Sequence, residues 1–250
     1  LDGVEAKPVG VNFATFVGFG SVRKEAIGND RRPPTDYELS QQRTLVRDAM
    51  CEGAIGLSTG LFYAPQSFAE TDEVVELARV AGGMNGVYDT HLRDEANYTV
   101  GLPAAVDEAI AIARSAQIPV QISHIKALGV DLHGSAPAII ARIEAARAEG
   151  LDVTASQYPW EASGTSMVAS LMPLWALDGG RPAMLARLDD PRVREGMTEN
   201  LRRRGGAGSL LVAEGRWKGK RLQQIADDQP RLQKVGRGTD AKRSRAGMVE

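Results

Sequence analysis

Cysteine occurs once in this 250-residue sequence, at Cys51, so no intramolecular disulfide framework holds it and no oxidising compartment is required. Histidine is nearly as scarce, with three residues, and aromatic residues make up only 5%. No run of 18 or more apolar residues is present, which leaves no candidate for a membrane-spanning helix. Neither sign of charge dominates: 30 Lys and Arg stand against 32 Asp and Glu, so no global field favours nucleic acid or an anionic membrane. The one basic cluster, Arg202–Arg204, falls in a helix-like stretch and reads as a solvated face. No charged-then-apolar leader opens the chain. It starts at Leu1 and stops without an evident terminal element, so the expectation is an internal segment of a longer polypeptide, with the cytoplasm as default location.

What is present is the composition of an ordinary globular protein, 43% apolar and 25% charged, long enough to bury a large core. Short β-rich runs alternate with longer helical ones. Val9–Val17 is the first strand candidate, and Gly18–Pro34 follows as a loop rich in Gly, Arg and Pro, with Gly18–Ser21 read as a turn. A helix is expected over Thr35–Glu52, capped by Asp36 and carrying Leu39, Leu45, Val46 and Met50 as its apolar stripe. A short strand, Ala54–Leu57, runs into Ser58-Thr59-Gly60, and Glu70–Gly82 is helical.

Further units repeat the pattern: strand Gly86–Thr90, helix Leu102–Ala116, strand Ile118–Ser123, helix Ala136–Glu149, strand Leu151–Gln157. The last three strands start about 32 to 34 residues apart, the length that β-loop-α-loop units need, which predicts a parallel sheet with helical crossovers. Beyond about Met172 the pattern weakens. Pro182–Arg204 is helix-rich, Ser209–Ala213 is a further strand candidate, Gly219–Asp227 a short amphipathic helix, and Arg231–Glu250 reads as ragged. The expected division is 1–175 for the main α/β portion and 176–250 for a helix-rich continuation of the same domain.

In parallel β/α folds, functional groups gather where strands end. One strand here ends in Thr90-His91, the next in Ser123-His124, the one after that in Gln157-Tyr158. Two of the three histidines thus hold equivalent places on adjacent strands, 33 residues apart. Adjacent parallel strands lie roughly 4.8 Å apart, close enough for both side chains to reach one ion. Parity groups His124 with Val120, Ile122 and Lys126 on one face. Two hydrogen-bonded structural histidines would give the same pattern. A catalytic zinc needs about three protein ligands, and the segment supplies no obvious third.

Several runs resemble the D-aminoacylase (N-acyl-D-amino-acid deacylase) branch of the amidohydrolase superfamily: Gly53-Ala-Ile-Gly-Leu-Ser-Thr-Gly-Leu-Phe-Tyr-Ala-Pro65, Thr90-His-Leu-Arg-Asp-Glu95, Pro119-Val-Gln-Ile-Ser-His-Ile-Lys126 and Asp152-Val-Thr-Ala-Ser-Gln-Tyr-Pro-Trp160. Val11-Asn12-Phe13-Ala14 with Val17-Gly-Phe-Gly-Ser-Val-Arg23 resembles an earlier block. Five blocks in family order span about residues 8 to 225.

The resemblance implies an α/β fold, a TIM-like (β/α) barrel of the metal-dependent hydrolases, incomplete here with about five to six βα units. It also implies hydrolysis of N-acyl-D-amino acids to a carboxylate and a free D-amino acid, with one or two zinc ions. His91 and His124 match the family's strand-end metal ligands. Tyr63, Lys126 and Tyr158 match substrate-holding positions, Lys126 as partner of the α-carboxylate and Tyr158 as a donor to the oxyanion. The family's His-x-His pair, metal-binding cysteine and proton-shuttling aspartate would lie outside this chain, so the 250 residues alone are expected to hydrolyse little. Phe19 stands where many relatives carry His, and Trp160 where many carry Tyr.

Other residues carry blander expectations. Cys51 reads as a packed thiol near a helix end, and His133 as a solvated loop residue. Arg93 and Asp94 form either a pair that orients His91 or an ordinary surface pair. Lys126 has a second reading, a carboxylated lysine bridging two metals as in related amidohydrolases. The competing functions are another amide or cyclic-amide hydrolase of the superfamily and a non-catalytic barrel module.

Overall fold

The computed structural model describes residues 10–228 together with Gly3 and Ala6. The expected strand residue Val9 and the 231–250 tail lie outside the described residues. The chain divides into two units, one of residues up to 128 with 132–161, the other of 129–131 with the residues from 162 onward. Among the described residues no helix is long and apolar enough to cross a membrane.

The first unit is built on a five-stranded, wholly parallel sheet in sequential order: β1 (Val17–Gly18), β2 (Gly56–Gly60), β3 (Val87–His91), β4 (Val120–Ile122) and β5 (Val153–Ala155). The helices between them are α1 (Phe19–Ile27), α2 (Asp36–Cys51), α3 (Thr71–Gly82), α4 (Leu102–Ala116) and α5 (Ala136–Ala148), each packed on the next. Their stripes meet the face of the sheet that carries Leu57, Tyr88, Val120, Ile122 and Val153, all buried. A hydroxyl chain threads this core: Thr59 Oγ1 lies 2.9 Å from the Tyr88 hydroxyl and donates to Thr90 Oγ1 at 2.9 Å. Burial pushes the Tyr88 phenol up to about 12, so it stays a neutral hydroxyl. Gly56 is required where β2 meets β3, because a Cβ there would fall 1.9 Å from the Val87 carbonyl oxygen.

The opposite face is polar. Register aligns Ser58, Asp89, Gln121 and Thr154 in one row across β2 to β5, with Ser58, Asp89 and Gln121 half-buried and Thr154 exposed.

Most expected elements of this unit appear within about two residues of their predicted bounds, and several expectations are corrected. Among the described residues of the Val9–Val17 run, the strand begins only at Val17 and runs to Gly18, although Ile55 N donates to the Thr15 carbonyl just before it at 2.9 Å. The segment read as a loop from Gly18 begins with helix α1, because Phe19, Val22, Arg23 and Ile27 recur at helical spacing and are buried. Gly20 belongs there for packing: a Cβ would fall 2.8 Å from the Gln66 amide nitrogen. Thr35, not Asp36, caps α2. Its hydroxyl accepts from Glu38 N, and the Glu38 carboxylate accepts from Thr35 N in return, a capping box. Cys51 is exposed at the end of α2 rather than packed.

The second unit carries α6 (Met167–Leu171), α7 (Gly180–Arg187), α8 (Pro191–Arg203) and α9 (Leu222–Asp228). Its small core gathers Met172, Ala176, Met184 and Val193, and Asp190 caps α8 through Arg192 N. The strand expected at Ser209–Ala213 is absent; a single bridge joins Leu211 to Arg221, too short a pairing for a ladder. Arg202 and Arg203 face solvent beside Glu199, as expected, whereas Arg204 turns inward to the Ser170 carbonyl at 2.8 Å.

Candidate metal centre

Strand β3 continues in register to its last residue, where His91 pairs with Gly60 of β2 and its carbonyl accepts from Leu61 N at 3.2 Å. Alternation puts His91 on the polar face with Asp89. Strand β4 behaves differently. Its ladder stops at Ile122, Ser123 N donates to the Thr90 carbonyl at 2.9 Å, and His124 takes a left-handed backbone with φ 43°. Parity would have sent His124 to the helix-covered side with Ile122, which pairs with Thr90 and not with His91. The left-handed residue reverses that direction. His124 N is held by Ser156 Oγ at 3.0 Å, and Ile125 N by the Ser156 carbonyl at 2.9 Å.

The two imidazoles therefore face each other, with His91 Nδ1 at 3.0 Å from His124 Nε2. Their remaining nitrogens turn toward Glu95: His91 Nε2 lies 3.8 Å and His124 Nδ1 3.2 Å from its carboxylate oxygens. One donor atom from each of His91, Glu95 and His124 lies within 4.8 Å of the others. In a tetrahedral zinc site with Zn–N near 2.1 Å, adjacent nitrogens stand about 3.4 Å apart, so a small opening of the 3.0 Å contact accommodates an ion. Burial, then the neighbouring His124 and Lys126, lowers His91 to about 4 and keeps it neutral, the form that binds metal.

Glu95 is the third donor that the sequence did not reveal. It is buried in the irregular stretch after β3, and Asp94 builds that stretch. The fully buried Asp94 carboxylate accepts from Ala96 N at 2.9 Å, Gly101 N at 3.0 Å, Thr99 N and the Thr99 hydroxyl. The signal available was a carboxylate four residues after a strand-end histidine, but no regular element predicts where such a residue points. Asp94 pairs with Arg93 neither to orient His91 nor on the surface; it is fully buried, and Arg93 binds Glu108 of α4 at 2.8 Å.

Lys126 stands beside the trio, donating from Nζ to Glu95 Oε1 and reaching His124 Nδ1 at 2.8 Å. Its ammonium lies 5.4 Å from the Tyr158 ring centroid, and the Tyr158 and His124 rings are 6.5 Å apart. On the other flank, Tyr63 is 5.1 Å and Phe62 6.0 Å from the His91 ring. The five residues singled out in the sequence thus gather at one end of the sheet. His133 is exposed and Trp160 is 70% exposed, while Phe19 is fully buried in the helix layer.

No family model matches the chain. A D-aminoacylase from Alcaligenes xylosoxydans xylosoxydans is 39% identical over 167 residues, which cover 67% of this chain and 34% of that protein. The crystal structure of N-acyl-D-glutamate deacylase from Bordetella bronchiseptica, complexed with zinc and a phosphonate mimic of the tetrahedral intermediate, superposes with a TM-score of 0.71 at 27% identity. That match covers 92% of this chain and 42% of the other. A D-aminoacylase structure concerned with a binuclear metal centre matches at a TM-score of 0.66 and 30% identity, over 90% of this chain and 40% of the other. The chain spans about a third of the length of the curated relative it matches. Its parallel sheet and one-sided helix layer are part of a metal-dependent hydrolase β/α barrel. The chain belongs to the N-acyl-D-amino-acid deacylase (D-aminoacylase) family of the amidohydrolase superfamily.

Proposed function

We propose that this chain supplies one side of a zinc centre that hydrolyses the amide of N-acyl-D-amino acids to a carboxylate and a free D-amino acid. The observation that carries this is the convergence of His91, Glu95 and His124 at the strand ends, with one donor atom of each within 4.8 Å of the others. His91 and His124 would hold the zinc, with Glu95 as the third donor within this chain. Bound zinc would supply a polarised amide oxygen and a water acidic enough to attack near neutral pH.

The remaining roles fall to side chains around it. Lys126, a cation held between Glu95 and His124, offers its charge to the substrate's α-carboxylate. Tyr158 donates to the amide oxygen as negative charge develops there, and Tyr63 lines the opposite side of the substrate beside His91. No residue of this chain is assigned the proton shuttle to the leaving amine.

The full-length gene product is assayed with N-acetylated D- and L-amino acid pairs. Release of D- but not L-amino acid, abolished by a chelator and restored by zinc, is the expected result; no D-selective release after zinc loading would sink it. His124→Ala should lose zinc, while Lys126→Ala should mainly raise KM. Equal zinc loss in both would point to a ligating lysine instead. The 250-residue chain alone should bind zinc while turning over little.

A further inference from the structure

The loop 61–69, which carries Tyr63, is held by two arginines, one from α1 and one from the stretch after β3. Arg23, fully buried in α1, donates from Nε to the Pro65 carbonyl at 3.1 Å and from Nη2 to the Arg32 carbonyl at 2.7 Å, while Nη1 engages both oxygens of Glu73 of α3. Arg93, two residues after His91, donates to the Ser67 carbonyl at 3.3 Å and the Ala69 carbonyl at 3.1 Å. Its fork is fixed by Glu108 at 2.8 and 2.9 Å, and Thr71 Oγ1 donates to the same carboxylate at 2.8 Å. Within the loop, Gln66 Oε1 accepts from Gly60 N at 2.7 Å, and the amides of Tyr63, Ser67, Phe68 and Ala69 all donate to backbone carbonyls. A segment that opens as a lid keeps few such ties. This one has three carbonyls bound by charged donors, each guanidinium locked by its own carboxylate.

We propose that Arg23 and Arg93 are positioning residues that hold the 61–69 loop as a preformed wall and so set the place of Tyr63 over His91. The role for catalysis rests on the zinc-deacylase reading above; the clamp itself does not. Arg93 also links the wall to the centre through the chain, since it lies between His91 and Glu95 and grips the loop with its side chain. Arg93→Lys keeps a charge for Glu108 but loses the planar fork that reaches two carbonyls.

The test is hydrogen exchange of the 61–69 segment in the full-length gene product, with and without zinc. In Arg93→Met, exchange there should speed up about tenfold or more, the worth of a charged hydrogen bond, with an intermediate effect in Arg93→Lys and none in α2. Because Arg23 is fully buried and replacement risks the fold, Arg93 carries the experiment and Arg23→Lys serves as support. In turnover, Arg93→Met should raise KM for the N-acyl-D-amino acid more than it lowers kcat, with zinc content unchanged, and its effect should not add to that of Tyr63→Phe. Unchanged exchange in both Arg93 variants would overturn the clamp whether or not the protein is a deacylase. Faster exchange in a protein that neither binds zinc nor turns over would leave the clamp standing and refute the deacylase reading. Full additivity with Tyr63→Phe would refute the positioning of Tyr63.

Discussion

The two faces of the parallel sheet share every strand and have little else in common. One presents Leu57, Tyr88, Val120, Ile122 and Val153 to the helix layer and is buried. The other presents Ser58, Asp89, Gln121 and Thr154 in a polar row and ends at His91. Residues one position apart therefore do opposite work. The covered face supplies the area whose burial stabilises the fold, and the other face leads to the candidate metal centre.

The sharpest way to break this comparison is to truncate neighbours. Leu57→Ala should cost about 2–5 kcal/mol in urea unfolding, since a fully buried leucine leaves a cavity, whereas Ser58→Ala should stay within about 0.5 kcal/mol. Similar losses at both positions would mean that the faces are equally packed. Next in size, Tyr88→Phe removes the hydroxyl beside Thr59 and should cost about 1–2 kcal/mol, by the same measurement. The helix layer has a flaw of its own: Gln42 of α2 is fully buried, and among the described residues its side-chain oxygen and nitrogen find no hydrogen-bond partner. Gln42→Met should therefore raise stability by about 1 kcal/mol, and a loss instead would reveal a bound water at that position.

The smallest effect belongs to the exposed margin, outside both faces. Hydrogen bonds from Arg32, and then from Thr35 N, hold the Glu38 carboxyl down at about 2 from 4.5. A depressed carboxyl stabilises the fold above its unfolded value and stops doing so as protonation proceeds. The melting temperature of the wild type should thus fall between pH 4.5 and about 2, and its gap to Glu38→Gln should close over the same range. A gap independent of pH would place the stabilisation elsewhere.

Much of the helix-covered side was legible in the sequence, because burial against a helix layer leaves a period that can be counted. The helix at Leu102–Ala116 was read to the residue, and His91 lies where an unbroken strand delivers it. Gly18-Phe19-Gly20 misled, since two glycines signal a turn while Phe19, Val22 and Arg23 pack as a helix. His124 was named as part of the site, but the parity reason for its direction fails. A backbone turn, which has no period, aims it at His91. Glu95 went unseen for the same reason, and Cys51 was read as packed although it is exposed, because a helix end next to a strand does not say which side faces water.

The sequence by itself determined the parallel β/α framework, the family and the strand ends at which the candidate metal centre gathers. These depend on local periodicity and on residue identity, which are written in the order of the chain. Only the tertiary structure decided that His124 turns back across β4, that Glu95 completes the trio and shares Lys126, and that two distant arginines grip the Tyr63 loop. Those contacts join residues 24 to 42 positions apart through irregular backbone, where direction follows from hydrogen bonds to neighbouring elements rather than from spacing along the chain.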